Sequence, residues 1–205
     1  MANVGKDIAR SYREWNRTLR ERYLRPYVFV HINKTGGSSV EKALGISLDH
    51  STAIEKRDQL GSAFWEKKFK FTFVRNPWDK VVSHYHYRVQ TNQTNLGVSP
   101  IPFDEWLQRV YVDRDPTYND NPRMFMPQRD WLVDERGTVV VDFIGRFENL
   151  AEDFEHVCSK LKVKHELGHA KVSARGDYRD YYDENSRALI ETCFAPDLEL
   201  FGYQY

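Results

Sequence analysis

Two short stretches of this 205-residue chain carry side chains whose types and spacing suit the binding of phosphate-type anions. In the first, Asn33-Lys34-Thr35-Gly36-Gly37-Ser38-Ser39, a lysine and three hydroxyls surround paired glycines. Glycine lets backbone N–H groups approach an anion with no Cβ in the way, and a glycine turn feeding a helix N-terminus aims them at it. Lys34 adds a point charge, and Thr35, Ser38 and Ser39 add hydroxyl donors. The lysine precedes the glycines, so the loop departs from the G-x-x-x-x-G-K-[ST] pattern of nucleotide triphosphatases. Taken alone it also fits ordinary strand-to-helix punctuation. In the second stretch Ser83 follows Arg75 by eight residues, which lets a bidentate guanidinium and a single hydroxyl donor converge on one phosphate.

Both stretches sit where elements change. Tyr27-Val28-Phe29-Val30-His31-Ile32 is an apolar, β-branched and aromatic run after Pro26, as a buried strand would be, and Val40 to Leu44 restarts the chain as a helix that Gly45 stops. Lys70 to Val74 reads as a second strand ending at Arg75, and Pro77 opens the following helix. Val139 to Ile144 reads as a third strand. Asn149 with Glu152 then caps a helix carrying Leu150, Phe154, Val157 and Leu161, and a last helix spans about Glu184 to Phe194. A short helix around Phe103 to Val110 separates two polar, turn-rich loops at 91–101 and 112–123, where acceptor contacts are expected. Strands alternating with helices predict an α/β fold: a single domain over residues 1–205, with a central parallel sheet flanked by helices and ligands beyond the carboxyl ends of the strands.

At the N-terminus, Ile8, Tyr12, Trp15, Leu19 and Tyr23 form one apolar stripe on a basic amphipathic helix over 1–25, expected to pack on the domain. An anionic acceptor or a membrane surface facing its arginines is the alternative.

Acidic and basic residues balance at 30 each, so the overall field gives no reason to expect nucleic acid or generalised membrane binding, and any charge selectivity must be local. No apolar run approaches the roughly 20 residues of a transmembrane helix. Met1 to Arg25 lacks the apolar core of a secretion signal, which points to a soluble, cytoplasmic chain. Cys158 and Cys193 make neither a disulfide framework nor a zinc site; they are read as buried free thiols, with one disulfide as the alternative.

HINKTGGSS resembles the 5'-phosphosulfate loop of the sulfotransferases that use 3'-phosphoadenosine 5'-phosphosulfate (PAPS), and FVRNPWDKVVSHYHY resembles their 3'-phosphate element. The match is closest to the heparan and chondroitin O-sulfotransferases and their short bacterial relatives. It continues through VDFIGRFENL and the closing YRDYYDENSRALIETCFAPDLELFGY. Asn33 stands where that family usually has proline. The resemblance implies in-line transfer of a sulfuryl group from PAPS to a hydroxyl or amine, with PAP released, no metal, and a carbohydrate or other small hydroxylated acceptor. It implies Lys34 as the residue that stabilises charge on the bridging oxygen, and Thr35, Gly36, Gly37, Ser38 and Ser39 as the cradle of the 5'-phosphosulfate. Arg75 and Ser83 would hold the 3'-phosphate, and Arg175 would belong to a late loop closing over the nucleotide or else be plain surface charge. His50 is the first candidate for general base, with His84 and His86 in competition. Gln128, Arg129 and Trp131 are either sugar contacts or, for Trp131, core. The alternative reading is a small-molecule or nucleotide kinase with a related phosphate loop.

Overall fold

The computed structural model describes residues 2–168 and 176–205, with side chains from residue 11 onward except those of 13 and 14. The elements in chain order are α1 (Ala2–Tyr23), β1 (Tyr27–Val30), α2 (Gly37–Leu44), α3 (Ala53–Leu60), α4 (Ser62–Trp65), β2 (Phe69–Val74) and α5 (Pro77–Gln90). They continue with α6 (Phe103–Leu107), β3 (Phe143–Arg146), α7 (Leu150–Leu161), α8 (Glu184–Cys193) and α9 (Ala195–Phe201).

The three strands form a parallel sheet with β2 in the middle, Tyr27 to Val30 pairing with Phe69 to Thr72 and Phe71 to Val74 with Phe143 to Arg146. The α/β class with a parallel sheet flanked by helices is therefore the observed one. Successive side chains point to opposite faces. Val28, Val30 and Val74 accordingly join a core with Trp65, Trp131 and Phe201, while Tyr27, Phe29, Phe71 and Phe73 join another with Val40, Leu150, Phe154 and Val157. A third apolar cluster lies behind α5, where Trp78, Val81 and Val82 meet Trp106, Phe125, Ile190 and Phe194.

Several boundaries differ from the sequence reading. The third strand starts at Phe143 rather than Val139: Val139 makes an isolated antiparallel bridge to Val133 instead. Asp142 ties the strand entrance to β2 by donating its N–H to the Lys70 carbonyl and accepting the Lys70 N–H on its carboxylate, both at 2.8 Å. Asn149 precedes α7 without capping it through its side chain. The segment after Cys193 forms one more helix, α9, with Pro196 in its first turn, where a missing N–H costs nothing. After α6 the chain continues as a π-helical turn over Gln108–Val112.

The apolar stripe of α1 does not enter the core. Tyr12, Trp15 and Tyr23 are exposed, and the helix is held instead by its polar side. The buried Lys56 ammonium bridges Glu21 at 3.0 Å and Asp49 at 2.9 Å, Arg17 lies 3.4 Å from Asp49, and Arg22 donates to the Gln59 carbonyl at 2.8 Å. Cys158 is buried and Cys193 partly buried, both as free thiols. No helix among the described residues is long and apolar enough to cross a membrane.

Candidate functional site

The chain leaves β1 through His31 to Gly36 and enters α2 at Gly37, so the glycine turn stands at the carboxyl end of the sheet. Its shape is fixed from within. The Thr35 hydroxyl, fully buried, donates to the Ile32 carbonyl at 2.8 Å. Lys34 and Gly36 both take left-handed backbone conformations, with φ of 65° and 84°, on either side of Thr35. Alternating backbone hands turn successive N–H groups to one side and make an anion-binding concavity. Gly36 caps α2 without a side-chain acceptor, so the first-turn N–H groups are presented at the loop, with Ser38 exposed and Ser39 partly buried beside them.

Gly36 is required by φ and by contact, and Gly37 by contact alone. A Cβ on Gly36 would stand 2.6 Å from Leu150 Cδ2, and one on Gly37 would stand 2.0 Å from the His31 ring. That ring is itself pinned: Nδ1 meets the Glu41 carboxylate at 2.8 Å, and Phe29 stacks on it.

Arg75 follows the last residue of β2 and is almost fully buried. Its guanidinium lies over the Phe147 ring, 3.8 Å from the centroid, donates from Nε to Asp79 at 2.7 Å, and donates from Nη1 to the Lys34 carbonyl at 3.0 Å. The last bond ties the glycine turn to the end of β2. Asp79, Ser83 and Tyr87 recur every four residues and share one face of α5. Asp79 holds Arg75, and the Lys34 ammonium rests 4.1 Å from the centroid of the Tyr87 ring. Ser83, between them, therefore faces the same space. The structure ties Arg75 to the Lys34 carbonyl and sets Ser83 on the α5 face that carries Asp79 and Tyr87.

The backbone of Arg75 is clamped by a residue read differently from the sequence. Gln128 is fully buried, and its amide accepts the Arg75 N–H at 2.9 Å while donating to the Arg75 carbonyl at 2.8 Å, so it acts as a short substitute for a neighbouring strand. Asp197, also fully buried, accepts from Gln128 N, Gln128 Nε2 and Arg129 N at 2.8 to 3.0 Å. Burial pushes the Asp197 carboxyl above its ordinary range against the pull of those N–H groups. Gln128 is thus no sugar contact, nor is Trp131, which lies wholly in the core. Next along the chain, Asn76 donates its N–H to Glu148 at 2.7 Å and caps α5 through Oδ1, while Tyr203 donates to the other oxygen of Glu148. Below the arginine, burial lowers the Lys80 ammonium to about 8; Asp197 pulls it up and Arg75 pushes it down.

His50 reaches the same end of the sheet. Its Nδ1 lies 3.0 Å from the His31 carbonyl, and its ring stands 4.4 Å from the His31 ring. A carbonyl only accepts, so Nδ1 carries the hydrogen and the neutral ring keeps its lone pair on Nε2. Burial, followed by the neighbouring His31, lowers the His50 pKa below its usual value. Arg123 holds this segment from outside, donating to the His50 carbonyl at 3.1 Å and pairing with Glu55. His84 is buried and stacked on Phe125, and burial, then the charges of Lys80, Arg88 and Lys34, drive its pKa well below 6.5. His86 lies on another face of α5 against Tyr181. Arg175 lies outside the described residues. The sequence reading missed His31, Glu41, Arg123 and Asp197; His31 and Glu41 flank the glycine turn, a local signal that was available.

Two comparisons bear on this arrangement. The sequence matches the model of the sulfotransferase family over residues 25–204. It is also 32% identical over 125 residues to an uncharacterized protein of Archaeoglobus fulgidus, covering 60% of this chain and 92% of that one. With a matched span that begins two residues before β1 and contains the glycine turn, the Arg75 strand end and the closing helices, this chain belongs to the sulfotransferase family.

Proposed function

We propose that the chain moves the sulfuryl group of PAPS to a hydroxyl or amine of a carbohydrate acceptor and releases PAP. The observation that carries the reading is the Arg75 Nη1 bond to the Lys34 carbonyl, which puts a guanidinium anion site and a glycine-turn anion site in one rigid frame at the end of the sheet. A donor with a 5'-phosphosulfate and a 3'-phosphate needs two such sites at a fixed separation. The glycine turn fits the first of these, since the left-handed backbone at Lys34 and Gly36 and the uncapped first turn of α2 direct N–H groups to one side.

In this reading the N–H groups of Gly37 and Ser38 and the hydroxyls of Ser38 and Ser39 hold the 5' end, Thr35 fixes the loop from within through its bond to the Ile32 carbonyl, and Arg75 and Ser83 hold the 3'-phosphate. Lys34 moves from the Tyr87 face toward the bridging oxygen and stabilises the charge that develops there. The acceptor oxygen or nitrogen forms a bond to sulfur as the bond from sulfur to the bridging oxygen breaks. The acceptor proton passes to Nε2 of His50, whose other nitrogen is fixed on the His31 carbonyl.

Calorimetric titration with PAP, PAPS, ATP and 5'-AMP in EDTA tests the donor. The expected result is PAP binding without metal, tighter than 5'-AMP, with the difference removed in Arg75→Ala. Binding of ATP only with magnesium, with no PAP binding, would overturn the reading. A panel of glycans and simple alcohols, scored by PAP release, then tests the acceptor class.

A further inference from the structure

We infer that the outer face of α1 binds anionic lipid surfaces. The helix is amphipathic in an unusual sense: the side turned toward the body is polar, and the side turned away is aromatic, with only the last ring of the stripe, Tyr23, also meeting the body, edge-on against Phe64. Tyr12, Trp15, Leu19 and Tyr23 recur at steps of three and four, and Arg17 and Glu21 lie on the opposite side of the same helix. Glu21 is buried on Lys56, and Arg17 reaches Asp49. Tyr12 is 63% exposed, Trp15 58% and Tyr23 62%, and Leu24 just beyond the helix is 75% exposed. The buried ion pairs fix this orientation, because turning the helix to hide its aromatic residues would strip Lys56 of Glu21, one of its two carboxylates.

Charge decides what covers the face. Residues 1–25 hold seven basic and three acidic side chains, which leaves 23 basic and 27 acidic in the remainder of a chain that is neutral overall. Arg20 is exposed near the aromatic stripe, and Arg25 follows. A second copy of α1 laid on the first would bring two net-positive helices together, so charge opposes that occupant. A bilayer rich in anionic headgroups complements it. Tryptophan and tyrosine settle at the headgroup boundary, and exposed arginines beside them pair with lipid phosphates. The expectation concerns this face alone and does not depend on which donor or acceptor the site takes.

The other tryptophans, Trp65, Trp78, Trp106 and Trp131, are at most 2% exposed, so a change in fluorescence on binding reports Trp15. Titrating the whole chain with phosphatidylglycerol-containing vesicles should shift its emission to the blue and carry it along on flotation. Phosphatidylcholine vesicles alone should do neither, and salt should reverse the effect. Arg20→Glu should weaken binding by roughly thirtyfold, from two units of charge at the surface. Trp15→Ala should abolish the fluorescence shift and most of the flotation; both residues are exposed, so the fold should be retained. Absence of a shift with anionic vesicles overturns the proposal. So does a concentration-dependent dimer in sedimentation that Trp15→Ala dissolves, which would assign the face to a second copy.

Discussion

Replacing Gln128 with methionine keeps the side-chain volume and removes both atoms that clamp Arg75. The change leaves the Arg75 N–H and carbonyl without their partner and takes one of three N–H donors from the buried Asp197 carboxylate. Each buried polar group left unsatisfied costs about 1–3 kcal/mol, and local relaxation recovers part of it, so a loss of about 3 kcal/mol is expected. For a chain of this size that lowers the melting temperature by about 6–12 °C. The functional effect has a separate signature. The clamp sets the backbone from which the guanidinium is aimed, so PAP affinity should fall roughly tenfold relative to wild type, out of the 1.5–3 kcal/mol that a charge-assisted hydrogen bond contributes. Affinity for 5'-AMP, which lacks the 3'-phosphate, should hold. Thermal unfolding by circular dichroism and calorimetric titration well below the melting temperature measure the two effects. An unchanged melting temperature, or equal losses for PAP and 5'-AMP, would refute the clamp as a positioning device.

Replacing His50 with alanine should lower turnover by about 10²–10⁴-fold, the range for a general base, while PAP binding by calorimetry is retained. Because the His50 pKa lies below its usual value, the acid limb of kcat/KM in the wild type should fall only below about pH 6.5, and a limb above that value would point to another base. Lys80→Met tests the buried ammonium. Its pKa is lowered in the folded state to about 8, so the unfolded chain binds more protons between there and about pH 10.5, and wild-type stability gains from this group as pH rises through that window. Between pH 8 and pH 10 the gain amounts to roughly 2 kcal/mol, and wild type should gain that much stability relative to Lys80→Met in urea unfolding over this range.

The parts legible in the sequence are those whose signal is local. A strand, paired glycines and a helix occupy consecutive residues, and the Arg75 to Ser83 spacing lies within a single strand end and helix, so the elements carrying both candidate stretches are legible without any long-range contact. The third strand was misplaced because Val139-Val140-Val141 has the composition of a strand, whereas pairing is decided by Asp142 and Lys70, which are 72 residues apart. The sequence reading ends the last helix at about Phe194, whereas the structure starts α9 there with Pro196 in the first turn, where proline is at home. The stripe on α1 was visible as a period, but a period does not say what the stripe faces, and the buried ion pair between Glu21 and Lys56 turned it outward.

The least legible layer is the one that holds Arg75 in place. Gln128 lies 53 residues from Arg75, and Asp197 a further 69 residues on, so no window of sequence contains the clamp. Its logic is physical all the same. A strand that ends at an anion site loses its neighbours just where its backbone must stay rigid, and a buried amide can supply both the missing acceptor and the missing donor. An amide can itself stay rigid in the core only if its spare N–H is satisfied, which the Asp197 carboxylate does. Asp49 plays a comparable part on the other side of the site. Placed next to His50, it accepts from Ser51 and pairs with Lys56 and Arg17, so the segment carrying the imidazole is tied to α1. Burial works against the Asp49 carboxylate, but Lys56, Ser51 and Arg17 together outweigh it and hold the pKa below its usual value, so the tie remains charged at neutral pH. A helix that rests on a lipid surface by its outer face would therefore be joined to the candidate base through its inner face.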